Sequence, residues 1–286
     1  MKYVFMRYPE GKGKAATFSY DDGCQADKRL ARIFTKHGVK ATFNFNSMAA
    51  REVNITDSEL EEYFLSKGHE IAVHGEFHKA NGTIRAIEGI REVLNCRLEL
   101  EERCGRIVRG MAYPNSGIRL MTNLGTYEQI KQYLTELDIA YARSLGGDNN
   151  AFQLPVDFHN WIPSAHHKNP SILEYVDDFL AIDLKNPTMR PAIRYPRLLY
   201  IWGHAYEFDT DNNWELIEEI CQKLTTDKDI WFATNIEFYD YVTAYKRLEY
   251  SADGKRIHNP SAITVWLDVG GEIHSIAPGE TIKVEL

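Results

Sequence analysis

The chain has no run of 18 apolar residues, so no part of it reads as a membrane-spanning helix. It has no excess of positive charge either. With 33 Lys+Arg against 41 Asp+Glu the formal net charge is −8, which argues against nucleic acid or an anionic membrane as partner. Cysteine is scarce: Cys24, Cys96, Cys104 and Cys221 show no C-x-x-C pairing, and the expectation is reduced thiols rather than a thiolate zinc site. The opening MKYVFMRYPEGKGK has only a short semi-apolar stretch before polar residues, too little for a signal-peptide core, so a cytoplasmic location is expected. No G-x-G-x-x-G follows the first predicted strand, and there is no internal repeat or low-complexity segment. What is present is ordinary for a folded chain of 286 residues, with 44% apolar and 26% charged residues, enough for one large α/β domain with a small addition.

Short β-rich runs alternate with amphipathic helices. Ala15–Ser19 predicts a strand that ends at Asp21-Asp22-Gly23, and Leu30, Ile33, Phe34 and His37 predict a helix closed by Gly38. Val39–Phe45 is a second strand, Thr56-Asp57-Ser58-Glu59 has capping-box spacing, and Glu70–Val73 is a strand ending at His74. Helices are expected near 83–103, 127–137, 172–184, 214–224 and 238–247, with strands near 107–113, 139–142, 198–203 and 230–233. Residues 144–169 look irregular, and a loop of that length in a compact domain is usually functional. About seven βα units favour a parallel, TIM-like barrel or a distorted version of it over residues 1–249. After Tyr250, turns at Gly254, Gly270-Gly271 and Pro278-Gly279 separate short strands, so 250–286 is expected to be a small C-terminal β appendage.

Residues suited to chemistry collect where the predicted strands end. Asp21-Asp22 follow the first, His74 and His78 the third; Arg109 and Tyr113 flank the fourth, Arg143 ends the fifth, and His204 ends a later one. In a parallel barrel all these ends share the face where catalytic groups gather. Two histidines at i, i+4 on a helical turn, as in His74-Gly75-Glu76-Phe77-His78, bring both imidazoles to one side. With one Asp and open water positions they make a mononuclear site for a divalent ion, zinc first and cobalt or manganese after it. Adjacent Asp21 and Asp22 on extended backbone point different ways, so one is free to ligate metal while the other faces substrate; the competing reading is a turn or cap aspartate. His204 is suited to general acid work near neutral pH, against the plainer reading of a structural imidazole. Glu207, Asp209, His37, His69, His258 and Cys24 are expected to be structural or surface groups.

Thr17-Phe18-Ser19-Tyr20-Asp21-Asp22-Gly23 resembles the first motif, T-F-D-D-G, of the polysaccharide deacetylases of the NodB-homology kind, carbohydrate esterase family four. His74-Gly75-Glu76-Phe77-His78 is similar to their H-[S/T]-x-x-H, Arg109–Pro114 to their arginine with a Tyr/Pro segment, and Ile201-Trp202-Gly203-His204 to their last motif. The resemblance implies a distorted (β/α)7 barrel in which Asp22, His74 and His78 bind the metal, Asp21 is general base and His204 general acid. It further implies that Arg109 orients Asp21 and that the Tyr113 backbone N–H helps hold the oxyanion. Trp161 stands near the place of the fourth motif, and His166 or His167 is a further candidate to approach the site; with Arg143 these are the expected substrate contacts. Gly75 departs from the family's Ser/Thr. The implied activity is metal-dependent removal of N- or O-linked acetyl groups from an oligosaccharide or polysaccharide. An amidohydrolase of the same barrel acting on small cyclic amides or imides, or a non-catalytic carbohydrate-binding protein, are the alternatives; oligomeric state is open.

Overall fold

The helices follow directly from their periodicity. In the computed structural model, which describes residues 2–47, 55–145, 149–186 and 188–285, α1 (Ala26–His37) buries Leu30, Ile33 and Phe34 and stops at Gly38, whose φ of 68° suits glycine. Thr56 and Glu59 close a reciprocal capping box on α2 (Asp57–Tyr63). The remaining helices of the first part are α3 (Ala86–Cys104) and α4 (Tyr127–Glu136). The second part holds α5 (Ile172–Ala181), α6 (Tyr206–Thr210), α7 (Trp214–Thr225) and α8 (Asn235–Lys246).

The strands are β1 (Val4–Arg7), β2 (Lys14–Asp21), β3 (Thr42–Phe45), β4 (Glu70–Val73), β5 (Gly110–Ala112), β6 (Tyr141–Arg143), β7 (Ala165–His166), β8 (Arg197–His204) and β9 (Ile230–Phe232). Seven of them form one parallel sheet in the order β6-β5-β4-β3-β2-β8-β7, with β9 beside the start of β2. The sheet curls into a ring because the segment from Trp161 to His167 reaches both edges. Trp161 donates its N–H to Ala142 O (3.1 Å) and accepts from Ser144 N (2.9 Å), while Ser164 and His167 donate to Tyr200 O and Trp202 O on β8 (2.8 Å each). A stave of the barrel therefore lies inside the stretch that reads as irregular, of which residues 146–148 lie outside the described residues. The distortion is on the other flank. β2 pairs with β9 over Lys14–Ala16 and with β3 only over Ser19–Asp21, and the gap between is filled by the start of α8, where Asn235 N bonds Thr42 Oγ1 (2.9 Å) and Ile236 N bonds Glu70 Oε2 (2.9 Å). This is the distorted (β/α)7 barrel the strand count predicts.

The last strands are β10 (Glu249–Tyr250), β11 (Arg256–His258), β12 (Val265–Val269), β13 (Glu272–Ile276) and β14 (Thr281–Lys283). They form two small antiparallel sheets, β10-β11-β14 and β1-β12-β13, so the second sheet draws on both ends of the chain. Its seam is a buried ion pair between Arg7 and Asp268 at 2.5 Å. Tyr241 of α8 locks the same place, donating its hydroxyl to Arg7 O (2.5 Å) and accepting from Trp266 N (2.9 Å).

Candidate active site

The carboxyl ends of the parallel strands form one mouth, and most of the expected residues come to it, with Asp22, His74 and His78 at its centre. Asp22 Oδ1 lies 3.5 Å from His74 Nε2 and 3.4 Å from His78 Nε2, and the two imidazole nitrogens are 3.2 Å apart. His74 Nδ1 is 2.9 Å from the carbonyl of Ala112, which as an acceptor fixes the proton on Nδ1 and turns the Nε2 lone pair toward the cluster. Asp22 Oδ1 is buried and has no hydrogen-bond partner. Three donor atoms with edges of 3.2–3.5 Å match the edges of a tetrahedron around an ion bound at about 2.0–2.2 Å, so the residues fit a divalent metal.

The backbone route to this cluster differs from the one the spacing suggests. His74 and His78 do not share a helical turn; residues 74–80 form an open loop. Gly75 with φ 85° and His78 with φ 57° bend it until the rings meet. Likewise Asp21 and Asp22 do not diverge. Asp22 sits just past β2 with φ 83°, and its Oδ1 and Asp21 Oδ2 lie 3.5 and 3.8 Å from the same His74 Nε2. Two of the three candidate ligands thus occupy the left-handed region that costs a non-glycine residue on the order of 1–3 kcal/mol. The departure at Gly75 has the same cause: a Cβ there would be strained by φ and would lie 3.0 Å from Glu92 Oε2. Buried Glu92 braces the loop instead, accepting from the N–H of Phe77 (2.9 Å) and of Lys79 (3.4 Å).

Asp21 is 2% exposed, at the last position of β2. Its Oδ1 accepts from Asn44 Nδ2 (2.8 Å), its Oδ2 accepts from Arg143 and lies 3.8 Å from His74 Nε2. Burial pushes its pKa up, but the Arg143 guanidinium and the neighbouring imidazoles outweigh that and hold it below the usual carboxylate value, so it is ionised at neutral pH. The partner is Arg143, not Arg109. Arg109 precedes β5 and therefore stands at the opposite end of the barrel, paired with Asp240 of α8 at 2.6 Å. Arg143 closes β6 at the mouth, fully buried, its guanidinium 4.2 Å over the Trp202 ring.

Two other expectations are corrected by position. The Tyr113 N–H is spent in the sheet on Arg143 O (3.0 Å) and is not free for an oxyanion. Trp161 is 1% exposed, packed among Tyr141, Phe158, Tyr200 and Phe238 in the core below the mouth, so it offers no face to a substrate. Cys24 behaves as expected: burial and nearby Asp27 push its thiol up to about 12, leaving it unreactive.

His204 closes β8, with Nε2 3.9 Å from Asp22 Oδ2 and Nδ1 3.3 Å from Glu207 Oε2. Burial alone would lower its pKa; Glu207, Asp21 and Asp22 together raise it, favouring the protonated ring. Glu207, expected from sequence to be a structural or surface group, thus belongs to the site. Burial raises its carboxyl, yet His204 and His166 bring it down to about 2. The signal was its i+3 spacing from a strand-end histidine. His166 and His167 also come to the mouth, but to Glu207 rather than to the Asp22 cluster, each with Nε2 3.4 Å from Oε2.

Comparison with known proteins agrees with the fold. Residues 8–139 match the family model described as polysaccharide deacetylase. Among solved structures, a Mycobacterium smegmatis protein assigned as a polysaccharide deacetylase aligns with TM-score 0.55 at 14% identity over 86% of this chain and 96% of its own. The Xyl-CE4 domain of a multidomain xylanase from the hindgut metagenome of Trinervitermes trinervoides aligns with TM-score 0.52 at 17% identity, covering 85% and 98%. A family 4 acetyl xylan esterase from Clostridium thermocellum, solved with a cobalt ion, aligns with TM-score 0.49 at 16% identity, covering 79% and 90%. No curated protein sequence gives a significant match. No helix among the described residues is long and apolar enough to cross a membrane.

Proposed function

We propose that this chain, a polysaccharide deacetylase relative built on the NodB-homology barrel, is a metal-dependent hydrolase that removes acetyl groups from a carbohydrate. The observation that carries the reading is the convergence of Asp22, His74 and His78 on one point, with ionised Asp21 beside it. A divalent ion held by those three side chains would supply a polarised acyl carbonyl and a more acidic water.

The chain's own residues account for the proton movements. Asp21, held by Arg143 and Asn44, accepts the proton of the attacking water. Protonated His204 donates from Nε2 to the departing nitrogen or oxygen, while Glu207 faces Nδ1 and keeps the ring oriented. The products are acetate and the deacetylated sugar. Phe77 and Tyr206, about half exposed at the rim, offer aromatic faces on which sugar rings stack.

The test is acetate release from N-acetylated and O-acetylated oligosaccharides by protein loaded with zinc, cobalt or manganese. Wild type should release acetate; Asp21→Asn should keep its ion and lose about 10²–10⁴ in rate. His204→Ala should slow release most where the leaving group is poor. Ring opening of a cyclic imide without acetate release would replace this reading with the amidohydrolase one. Tight sugar binding with no turnover would leave a binding protein.

A further inference from the structure

A second group of metal-ligand type lies behind His204. His166 and His167 at the end of β7 and Glu207 in α6 bring their ligand atoms within 4.8 Å of one another. Both imidazole Nε2 atoms stand 3.4 Å from Glu207 Oε2, the same edge length found in the Asp22 cluster. His167 is 1% exposed, and neither of its ring nitrogens has a hydrogen-bond partner. That is a costly way to bury an imidazole unless something is bound by it.

The pocket for that ring is built. Tyr20 and Phe208 stack on its two faces, with centroids at 5.7 and 4.2 Å. Gly203 gives it room, since a Cβ there would fall 1.9 Å from His167 Nδ1. The ring is thus fixed in direction, with its Nε2 turned toward Glu207.

We propose that His166, His167 and Glu207 form a second divalent-cation site, of the zinc class, separate from the Asp22-His74-His78 cluster. Two imidazoles and one carboxylate are a donor set that zinc accepts, with a water completing four-coordination. His204 stands between the two clusters, its Nε2 toward Asp22 and its Nδ1 toward Glu207. Ligation through His166 Nε2 puts the ring proton on Nδ1, so the present contact from the Lys168 N–H to His166 Nδ1 (3.1 Å) opens when the ion binds. The inference goes beyond the proposed function and stands or falls without it.

The experiment is zinc content per chain by mass spectrometry, after chelator treatment, reloading and dialysis. Wild type should hold about two ions, Asp22→Ala/His74→Ala about one, and His166→Ala or Glu207→Gln about one. His167→Ala is a weaker test because it empties the space between Tyr20 and Phe208; partly exposed His166 and near-isosteric Glu207→Gln do not share that defect. In the Asp22→Ala/His74→Ala protein, zinc should also shift the Lys168 backbone amide resonance. One ion in wild type that disappears in Asp22→Ala/His74→Ala and persists in Glu207→Gln would overturn the second site while leaving the first intact. Loss in Glu207→Gln with no effect of Asp22→Ala/His74→Ala would do the reverse.

Discussion

The two ends of the barrel bury the same kinds of polar groups and treat them in opposite ways. At the floor the buried charged side chains of Lys14 and Glu70 are answered from within the chain. Lys14 Nζ, 2% exposed, reaches the carbonyls of Phe179, Leu180 and Ile182 at 3.3, 3.2 and 2.8 Å and Asp227 at 2.6 Å. Glu70 accepts from Tyr141 (2.7 Å), Thr42 (2.8 Å) and the Ile236 N–H (2.9 Å). At the mouth, Asp22 Oδ1, two nitrogens of Arg143 and both of His167 have no such partner. The backbone strain at Asp22 and His78 is at the same end. Buried polarity is therefore no guide to function by itself. What separates the mouth is that unanswered groups of Asp22, Arg143 and His167 collect there, where a bound ion or molecule can satisfy them.

Substitutions should divide along the same line. Asp22→Gly should abolish metal binding at its cluster, yet raise the stability of the metal-free protein by about 1 kcal/mol, because φ 83° is free to glycine. Metal titration beside thermal melts of the chelated protein checks both halves; a lower melting temperature would mean the turn is not strained. Asp268→Ala at the β1–β12 seam should act the other way. It strands a buried Arg7 and should cost about 3–5 kcal/mol in denaturant unfolding, with metal content unchanged.

The two arginines give a finer cut. Arg143→Lys should lower kcat/KM at least about tenfold, since an ammonium cannot reproduce the stacked, forked geometry at Asp21. Arg109→Ala removes a half-exposed pair with Asp240 and should change it less than about twofold. Equal losses would restore Arg109 to the site.

The smallest effect is one of pH. Burial raises the Glu70 carboxyl from 4.5 to about 7, against the opposing pull of its three hydrogen bonds. Folded protein then keeps a proton that the unfolded chain releases from about pH 4.5 upward, so this stabilising contribution falls as pH rises toward 7 and is gone above it. Glu70→Gln should flatten that slope, by a few °C in melting temperature between about pH 5 and 8. Parallel wild-type and variant curves would show that Glu70 titrates normally.

Much of the barrel was legible because helix period, capping boxes and strand-end polarity are local signals. The helix from Leu30 to His37 and the capping box at Thr56 needed only neighbours in sequence to be read. The seventh stave was not legible. Trp161–His167 pairs with β6 and β8 through backbone groups and has neither alternation nor length to announce it. Asp22, His74 and His78 could be named as a set from motifs, but the loop that joins the two rings could not, since positive φ at a histidine leaves no mark in composition. Arg109 and Arg143 were distinguishable in principle: one precedes its strand, the other ends it, and only the end at the mouth can meet Asp21. Glu207 was passed over because an i+3 carboxylate is common on any helix.

The seam between β1 and β12 also sets a clock. Arg7 and Asp268 are 261 positions apart, so at roughly 5–20 residues per second a newly made Arg7 waits about 13–52 s before its counter-charge exists. Through that interval β2 can begin to assemble with β3 and β8 while β1, four residues with two buried side chains, has no strand to join. A nascent chain halted before residue 265 would leave that strand edge open to other chains.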